Sequence, residues 1–411
     1  MGKNFIVGQS GGPTAVINAS LAGVAAAALA HIRSTGSGTV YGMQHGIQGF
    51  ARGEVVDLGA QLDTEAAIAL LKTTPAAALG SCRRRLPAAA DEPQVYEDIF
   101  RRLQQLDIGC FLYIGGNDSM DTIQKLHDWG AAHGSDIRFV GVPKTIDNDL
   151  AMTDHTPGYG SAARYIATVM KELLCDSLVY DEKRVTVVEI MGRNAGWLAG
   201  AAALAADEEC AGPDLLYLPE TPFDVEDFVR RVDALQQKRK SVVVAISEGI
   251  RLDDGRYVCE LSNTSASVDV FGHRQLSGAA STLSAILNSR LGAKCRAVEL
   301  STMQRCAAHL AAGADVEEAF AAGAAGVKAA LAGESGCMVT LVRSSTDPYV
   351  CECATADIHA IANAEKTVPL AWIDTENATV TKEFLDYARP LILGENAVVW
   401  ANGIPKHFVV K

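Results

Sequence analysis

Seven consecutive residues, Pro143-Lys144-Thr145-Ile146-Asp147-Asn148-Asp149, gather an ammonium, a hydroxyl and two carboxylates. They follow the apolar run Arg138-Phe139-Val140-Gly141-Val142, which reads as a buried parallel strand. In an open α/β sheet the carboxyl ends of the strands face the ligand crevice, so this cluster stands where chemistry would be done. Taken alone, a polar turn with a capping Asp accounts for it as well.

Other strand ends repeat the pattern. Asn4-Phe5-Ile6-Val7 runs into Gly8-Gln9-Ser10-Gly11-Gly12-Pro13-Thr14 and then an Ala-rich helix from about Ala15 to Ala30. Glycines let a backbone approach a ligand closely, and the helix start beyond them offers free N–H groups to an anion. Phe111-Leu112-Tyr113-Ile114 runs into Gly115-Gly116-Asn117-Asp118-Ser119 and a helix to about His133. In a single βα turn, Asp118 or Ser119 would be read as the N-cap. Two more strands, Arg184 to Ile190 and Val242 to Ile246, open onto Met191-Gly192-Arg193 and Ser247-Glu248-Gly249. Glycine turns with a lysine and carboxylates at neighbouring strand ends point to a polyphosphate site with a divalent ion. The basic run Arg83-Arg84-Arg85 is a solvated loop unless such a site lies beside it.

The elements that must hold these turns alternate strand and helix, which implies a mostly parallel, doubly wound sheet with right-handed crossovers. Further helices are expected at about Glu65 to Leu71, Gly158 to Leu174, Trp197 to Asp207, Val225 to Lys238, Leu276 to Leu291 and Val316 to Leu331. Further strands are expected at Thr39 to Tyr41, Leu215 to Leu218, Arg296 to Leu300 and Cys337 to Val342; residues 345–411 carry no motif. A length of 411 residues exceeds one compact core, and no low-complexity linker divides it, so two interleaved domains are expected. The net charge of −13 argues against nucleic acid or an anionic membrane surface as partner. Any anionic substrate must therefore be met by a local cluster of Arg and Lys. The ten cysteines are scattered without zinc spacing, which reads as reduced, buried thiols in a cytoplasmic protein. The apolar helices are too short to span a bilayer, and the N-terminus enters a strand directly.

With these residues together, the chain resembles the phosphofructokinase family, and within it the pyrophosphate-dependent branch. The resemblance covers roughly residues 4 to 335. It rests on Gly11-Gly12, Gly115 to Ser119, Pro143 to Asp149, Met191-Gly192-Arg193, Ser247-Glu248-Gly249 and Gln304-Arg305, in order at strand ends. It implies phosphoryl transfer from a polyphosphate to the 1-hydroxyl of fructose 6-phosphate, reversibly, in glycolysis and gluconeogenesis. Asp147 is then the general base, with Thr145 and Ile146 beside it at the transferring group and Gly12 at the donor. Arg193 clamps the transferred phosphate. Met191, Gly192, Glu248, Thr302, Met303, Gln304 and Arg305 fall to the sugar phosphate. Arg184 and Arg296 match arginines lent across a subunit interface, which implies a homodimer or homotetramer with shared sites. Arg83 matches a nucleotide-phosphate contact that here would hold pyrophosphate.

The resemblance also implies the donor. ATP-using members carry glycine where this chain has Asp118, and a small residue where it has Lys144. A carboxylate at the first position repels a longer nucleotide, and an ammonium at the second suits a compact diphosphate. The family's metal-binding aspartate is replaced by Asn117, so Asn117 and Asp118 are the expected Mg²⁺ ligands. Thr302 stands where ATP-dependent members usually have histidine, and Gly272-His273-Arg274-Gln275 only imitates the family's His-x-Gln-Arg. Ala22 and Ala26 replace two effector-facing arginines, which implies little allosteric control. The expected division is a phosphoryl-donor domain at 1–160, joined by part of 305–345, and a sugar-phosphate domain at 161–304 with an insertion at about 250–293. Residues 346–411 are left unassigned. The rival readings are an ATP-dependent phosphofructokinase, an NAD kinase relative sharing the Gly-Gly-Asp turn, and a non-catalytic sugar-phosphate-binding subunit. Sedoheptulose 7-phosphate stays open as an alternative acceptor.

Overall fold

The computed structural model describes residues 2–179, 181–262, 276–362 and 364–411. Nine strands form two separate sheets before the chain returns to the first one. β1 (Asn4–Gln9), β2 (Val40–Met43), β3 (Val55–Asp57), β4 (Ile108–Gly115) and β5 (Arg138–Pro143) belong to the first sheet. β6 (Arg184–Ile190), β7 (Leu215–Tyr217), β8 (Ser241–Ser247) and β9 (Lys294–Glu299) make the second, in the order β7-β8-β6-β9, all parallel. β10 (Cys337–Thr346) then joins β5 in parallel, and β11 (Tyr349–Asp357) pairs antiparallel with β10. The seven-stranded order is therefore β11-β10-β5-β4-β1-β2-β3, parallel except at its two edges. This is an α/β fold with two mostly parallel sheets.

The continuous apolar strands of the first sheet are explained by helices on both faces. Successive side chains of a strand point to opposite sides. Val7, Leu112, Ile114 and Val142 pack with Leu21 and Val24 of the helix Ile17–Thr35 and with Val327 of the helix Gly313–Leu331. Ile6, Phe111, Tyr113 and Phe139 pack instead with Phe100 and Leu103 of the helix Pro93–Gln105 and with Ile123 and Leu126 of the helix Asn117–Ala132. In the second sheet Val185 and Val187 share a core with Phe228 and Leu283, while Val188 and Ile190 face Ile166 of the helix Tyr159–Leu178.

The helices Ile17–Thr35 and Gly313–Leu331 cross at backbone contact. A Cβ on Gly23 would lie 2.0 Å from the Phe320 carbonyl oxygen, and one on Gly323 would lie 2.0 Å from that of Ser20. Ala22 is buried in this packed layer.

Several expectations are corrected. Residues 346–411, for which no assignment was made, contribute to both halves: β11 extends the first sheet, Phe408 packs on its core, and Phe384 and Leu391 enter the core beside Trp197. The helix expected from Trp197 to Asp207 is one α-turn (Trp197–Gly200) that tightens into a 3₁₀ helix (Ala201–Ala205). The helices Gly46–Arg52 and Pro93–Gln105 were not anticipated. Four cysteines are buried and two exposed, so burial of the thiols holds for part of the set. The segment Gly272 to Gln275 lies outside the described residues. Among the described residues no helix is long and apolar enough to cross a membrane.

Candidate active site

The strand ends of the two sheets converge on one cleft of about 470 Å³. From the first sheet it takes Gly11 and Gly12 after β1, Gly116 to Ser119 after β4, and Lys144, Thr145, Asp147 and Asp149 after β5. Met191, Arg193 and Glu248 come from the ends of β6 and β8. Arg83 and Arg85 line the same cleft, so the basic run is no idle surface loop.

Lys144 is buried, and its Nζ donates to the Gly12 carbonyl at 2.6 Å. Burial pushes its ammonium down to about 8, against the pull of Asp147 and Asp149. Gly11 adopts a left-handed φ of 77°, and a Cβ there would lie 3.3 Å from Lys144 Nζ, so glycine suits both the turn and the contact. Thr145 Oγ1 accepts from the Asp147 N–H at 3.1 Å, a local bond that shapes the turn. Burial raises the Asp147 carboxyl, while Lys144 and Arg193 favour its ionised form. Burial, then repulsion from Asp147, pushes Asp149 up to about 7.

On the opposite wall, Gly192 N–H donates to Glu248 Oε1 at 3.4 Å, and burial pushes the Glu248 carboxyl up to about 7. Gln304 is buried, and its Oε1 accepts from the Met191 N–H at 3.3 Å, so it holds the Met191 backbone. Arg305 approaches from beside Gly12, where a Cβ would lie 3.3 Å from its Nη1. Burial and the nearby Arg83 lower the Arg305 pKa.

Five expected site residues stand apart from this cleft. Arg184 begins β6, at the opposite end of the strand from Met191, and is ion-paired with Glu182. Arg296 lies on β9, 3.7 Å from Asp176, and its side chain is exposed. Thr302 and Met303 are exposed and do not line the cleft. Ile146 is buried in the core beneath the turn.

For a divalent cation, the donor set offers hard oxygens. Asn117 Oδ1 and Asp149 Oδ1 are buried and have no hydrogen-bond partner among the described residues, and both residues line the cleft. Unsatisfied oxygens of this kind suit an oxygen-liganded metal. Asp118 is engaged otherwise, its Oδ1 2.7 Å from Arg85 Nη2.

Sequence reasoning missed Ala364 and Glu365, which line the cleft from the C-terminal segment. Glu365 forms an isolated antiparallel bridge with Leu150, and its charge adds to the upward push on Asp147 and Asp149. No periodicity marks this stretch, so nothing in its composition separated it from a surface loop. A second unforeseen cluster lies behind the loop. His155 is buried between Asp154 (Nδ1 to Oδ2, 2.8 Å) and Glu318 (Nε2 to Oε2, 2.7 Å), with Arg343 also on Asp154. Cys351 lies close enough to complete a ligand triplet with His155 and Glu318, yet both ring nitrogens already face carboxylates.

The phosphofructokinase family description matches residues 4–299, which contain every strand end of this cleft.

The chain belongs to the phosphofructokinase family.

Among its relatives, the pyrophosphate–fructose 6-phosphate 1-phosphotransferase of Methylococcus capsulatus is 40% identical over 407 residues, covering 98% of this chain and 95% of the relative. The protein of the same name from Halomonas elongata is 39% identical over 405 residues, with the same two shares. A crystal structure of pyrophosphate-dependent phosphofructokinase from Nitrosospira multiformis matches with a TM-score of 0.88 at 35% identity, covering 99% of this chain and 96% of that one. The two mostly parallel sheets described above are thus the phosphofructokinase fold.

Proposed function

We infer that this chain is a pyrophosphate-dependent phosphofructokinase. It transfers a phosphoryl group reversibly from pyrophosphate to the 1-hydroxyl of fructose 6-phosphate. The observation that carries this reading is the donor side of the cleft. There the buried Lys144 ammonium is drawn onto the Gly12 carbonyl, and Asp118, paired with Arg85, stands at the helix start opposite. A compact diphosphate gains from the added cation, whereas a nucleotide must pass a carboxylate and a filled glycine turn. Relatives that bear the pyrophosphate-dependent name over nearly the whole chain support the same choice.

The roles follow from position. Asp147 takes the proton from the acceptor hydroxyl, and that oxygen then attacks the terminal phosphorus of pyrophosphate. The bridging P–O bond breaks and inorganic phosphate leaves; reversal returns the proton from Asp147. Raised basicity from burial helps Asp147 accept the proton, and nearby Lys144 and Arg193 favour its ionised form. Arg193, Arg83 and Lys144 neutralise the phosphates, while Thr145 steadies the transferring group. Glu248 and Arg305 take the sugar phosphate. Asn117 and Asp149 would hold Mg²⁺, which when bound offsets charge on the diphosphate.

The donor region is assigned to 1–160 with part of 305–345, and the acceptor region to 161–304. Arg184 and Arg296, which do not line this chain's own cleft, fit a neighbouring subunit's site in a homodimer or homotetramer. Cytoplasmic glycolysis and gluconeogenesis, with little effector control, form the proposed setting. Sugar phosphorylation assayed with Mg²⁺ and either pyrophosphate or ATP tests the reading. Turnover with pyrophosphate supports it, and turnover with ATP alone overturns the donor assignment.

A further inference from the structure

The loop that carries Asp147 is not relaxed. Asn148, at φ 55°, and Met152, at φ 62°, both hold left-handed conformations that side chains disfavour. Such conformations persist where their surroundings over-determine them. The surroundings here come largely from the stretch of sequence that carried no motif. Asn148 Nδ2 donates to the Tyr387 hydroxyl at 2.8 Å, and that hydroxyl donates to the Asp154 carbonyl at 2.7 Å. Lys366 makes the densest set of contacts. Its backbone N–H donates to the Asp149 carbonyl at 2.8 Å. Its Nζ donates to the carbonyls of Thr153 at 3.2 Å and Asp154 at 2.6 Å.

The other side of Lys366 reaches the acceptor half of the molecule. Its carbonyl accepts from Trp197 Nε1 at 3.1 Å, and its ammonium lies 5.2 Å from the centre of the same indole ring. Trp197 opens the short helix that follows the Arg193 turn. Lys366 therefore joins the base-bearing loop to the element behind the phosphate-clamping arginine. Burial pushes its ammonium down to about 8, the cost of placing a cation where a methionine would fill the same space. A purely space-filling residue would not need that cation; two main-chain oxygens of one strained loop do.

We propose that Lys366 is a positioning residue for phosphoryl transfer, fixing Asp147 through hydrogen bonds to the main chain of Asp149, Thr153 and Asp154. The proposal rests on the function inferred above for its kinetic consequence, but its structural part stands separately. Lys366 is not among the residues that line the cleft, so it acts on the rate through the loop.

The test combines amide hydrogen exchange over residues 145–158 with steady-state kinetics, on the full-length chain and on Lys366→Met. The loop amides should exchange at least about tenfold faster in the variant, because a held segment becomes a locally opening one. With pyrophosphate and fructose 6-phosphate, kcat should fall about 10²-fold, the effect of small misplacement at a reacting group. Both KM values should stay within about threefold, since binding groups are untouched. Lys366→Gln, which keeps a donor of similar length, should recover part of the protection and of kcat. It also serves as the test variant if Lys366→Met does not fold. Unchanged exchange, or a rise in KM without a fall in kcat, would overturn the proposal. If the wild-type chain turns over neither donor, the inferred function fails, and the exchange result alone decides whether Lys366 holds the loop.

Discussion

The Lys144 ammonium donates to the Gly12 carbonyl at 2.6 Å, joining the ends of β5 and β1 across the intervening β4. One side chain thus ties together two of the three turns that make the donor wall. It also places a buried cation beside the glycine backbone of that wall.

Replacing Lys144 by methionine removes that charge and its bond. Charge-assisted hydrogen bonds contribute about 1.5–3 kcal/mol, so the KM for pyrophosphate should rise about ten- to hundredfold. The KM for the sugar phosphate should change little. Adding Asp118→Gly to Lys144→Gly should bring measurable turnover with ATP, which the wild-type chain lacks on this account. Steady-state kinetics with each donor checks both statements.

Asp147→Asn keeps the size of the side chain and removes the proposed base. General-base catalysis typically supplies about 10²–10⁴-fold, so kcat should fall by that factor. The thermal midpoint should not fall, because the wild-type carboxylate is disfavoured by burial and the amide is neutral. A kcat within about twofold of wild type would remove Asp147 from its role.

Stability should depend on pH through His155. Burial opposes its charge, but hydrogen bonds to Asp154 and then Glu318 hold its pKa above the ordinary 6.5. The raised pKa means the folded chain keeps the proton more tightly than the unfolded one. The stabilisation is therefore complete below about 6.5 and is lost as pH rises through the folded value. His155→Gln removes the cation between Asp154, which keeps Arg343, and Glu318, and should cost about 3–5 kcal/mol at acidic to neutral pH. Urea unfolding at about pH 6 and about pH 9 should show the gap between the two proteins narrowing at the higher pH. A gap independent of pH would contradict a charged His155.

The helix crossing at Gly23 gives a test of packing that is separate from the chemistry. Valine there would drive a side chain into the Phe320 carbonyl, which a bare Cβ would already approach to 2.0 Å. Overpacking of this kind costs about 1–3 kcal/mol, occasionally more, read as a lower urea midpoint. A midpoint equal to wild type would show that the two helices separate freely.

Sequence carried the strand ends well because each followed an apolar run whose two faces are both covered by helices. Lys144, Asp147, Arg193 and Glu248 were legible for that reason, and they do share one cleft. Arg85 was seen as part of a basic run, but its bond to Asp118 depends on how the loop folds back over the helix start. Gln304 was placed among the substrate-binding residues; the structure buries it against the Met191 backbone, a contact with no sequence signature. Glu365 and Lys366 were invisible because neither sits in a regular element, and only tertiary contacts carry them to the loop that bears Asp147. The alternation through Tyr349 to Asp357 was a usable sign of a strand and went unread.

The most direct measurement is the rate of fructose 6-phosphate phosphorylation by the purified chain with Mg²⁺, with pyrophosphate and ATP compared as donors. The account predicts turnover with pyrophosphate and none with ATP, reversed when phosphate and fructose 1,6-bisphosphate are supplied. Turnover with ATP and none with pyrophosphate would contradict the reading of Lys144 and Asp118, and no turnover with either would contradict the catalytic assignment itself.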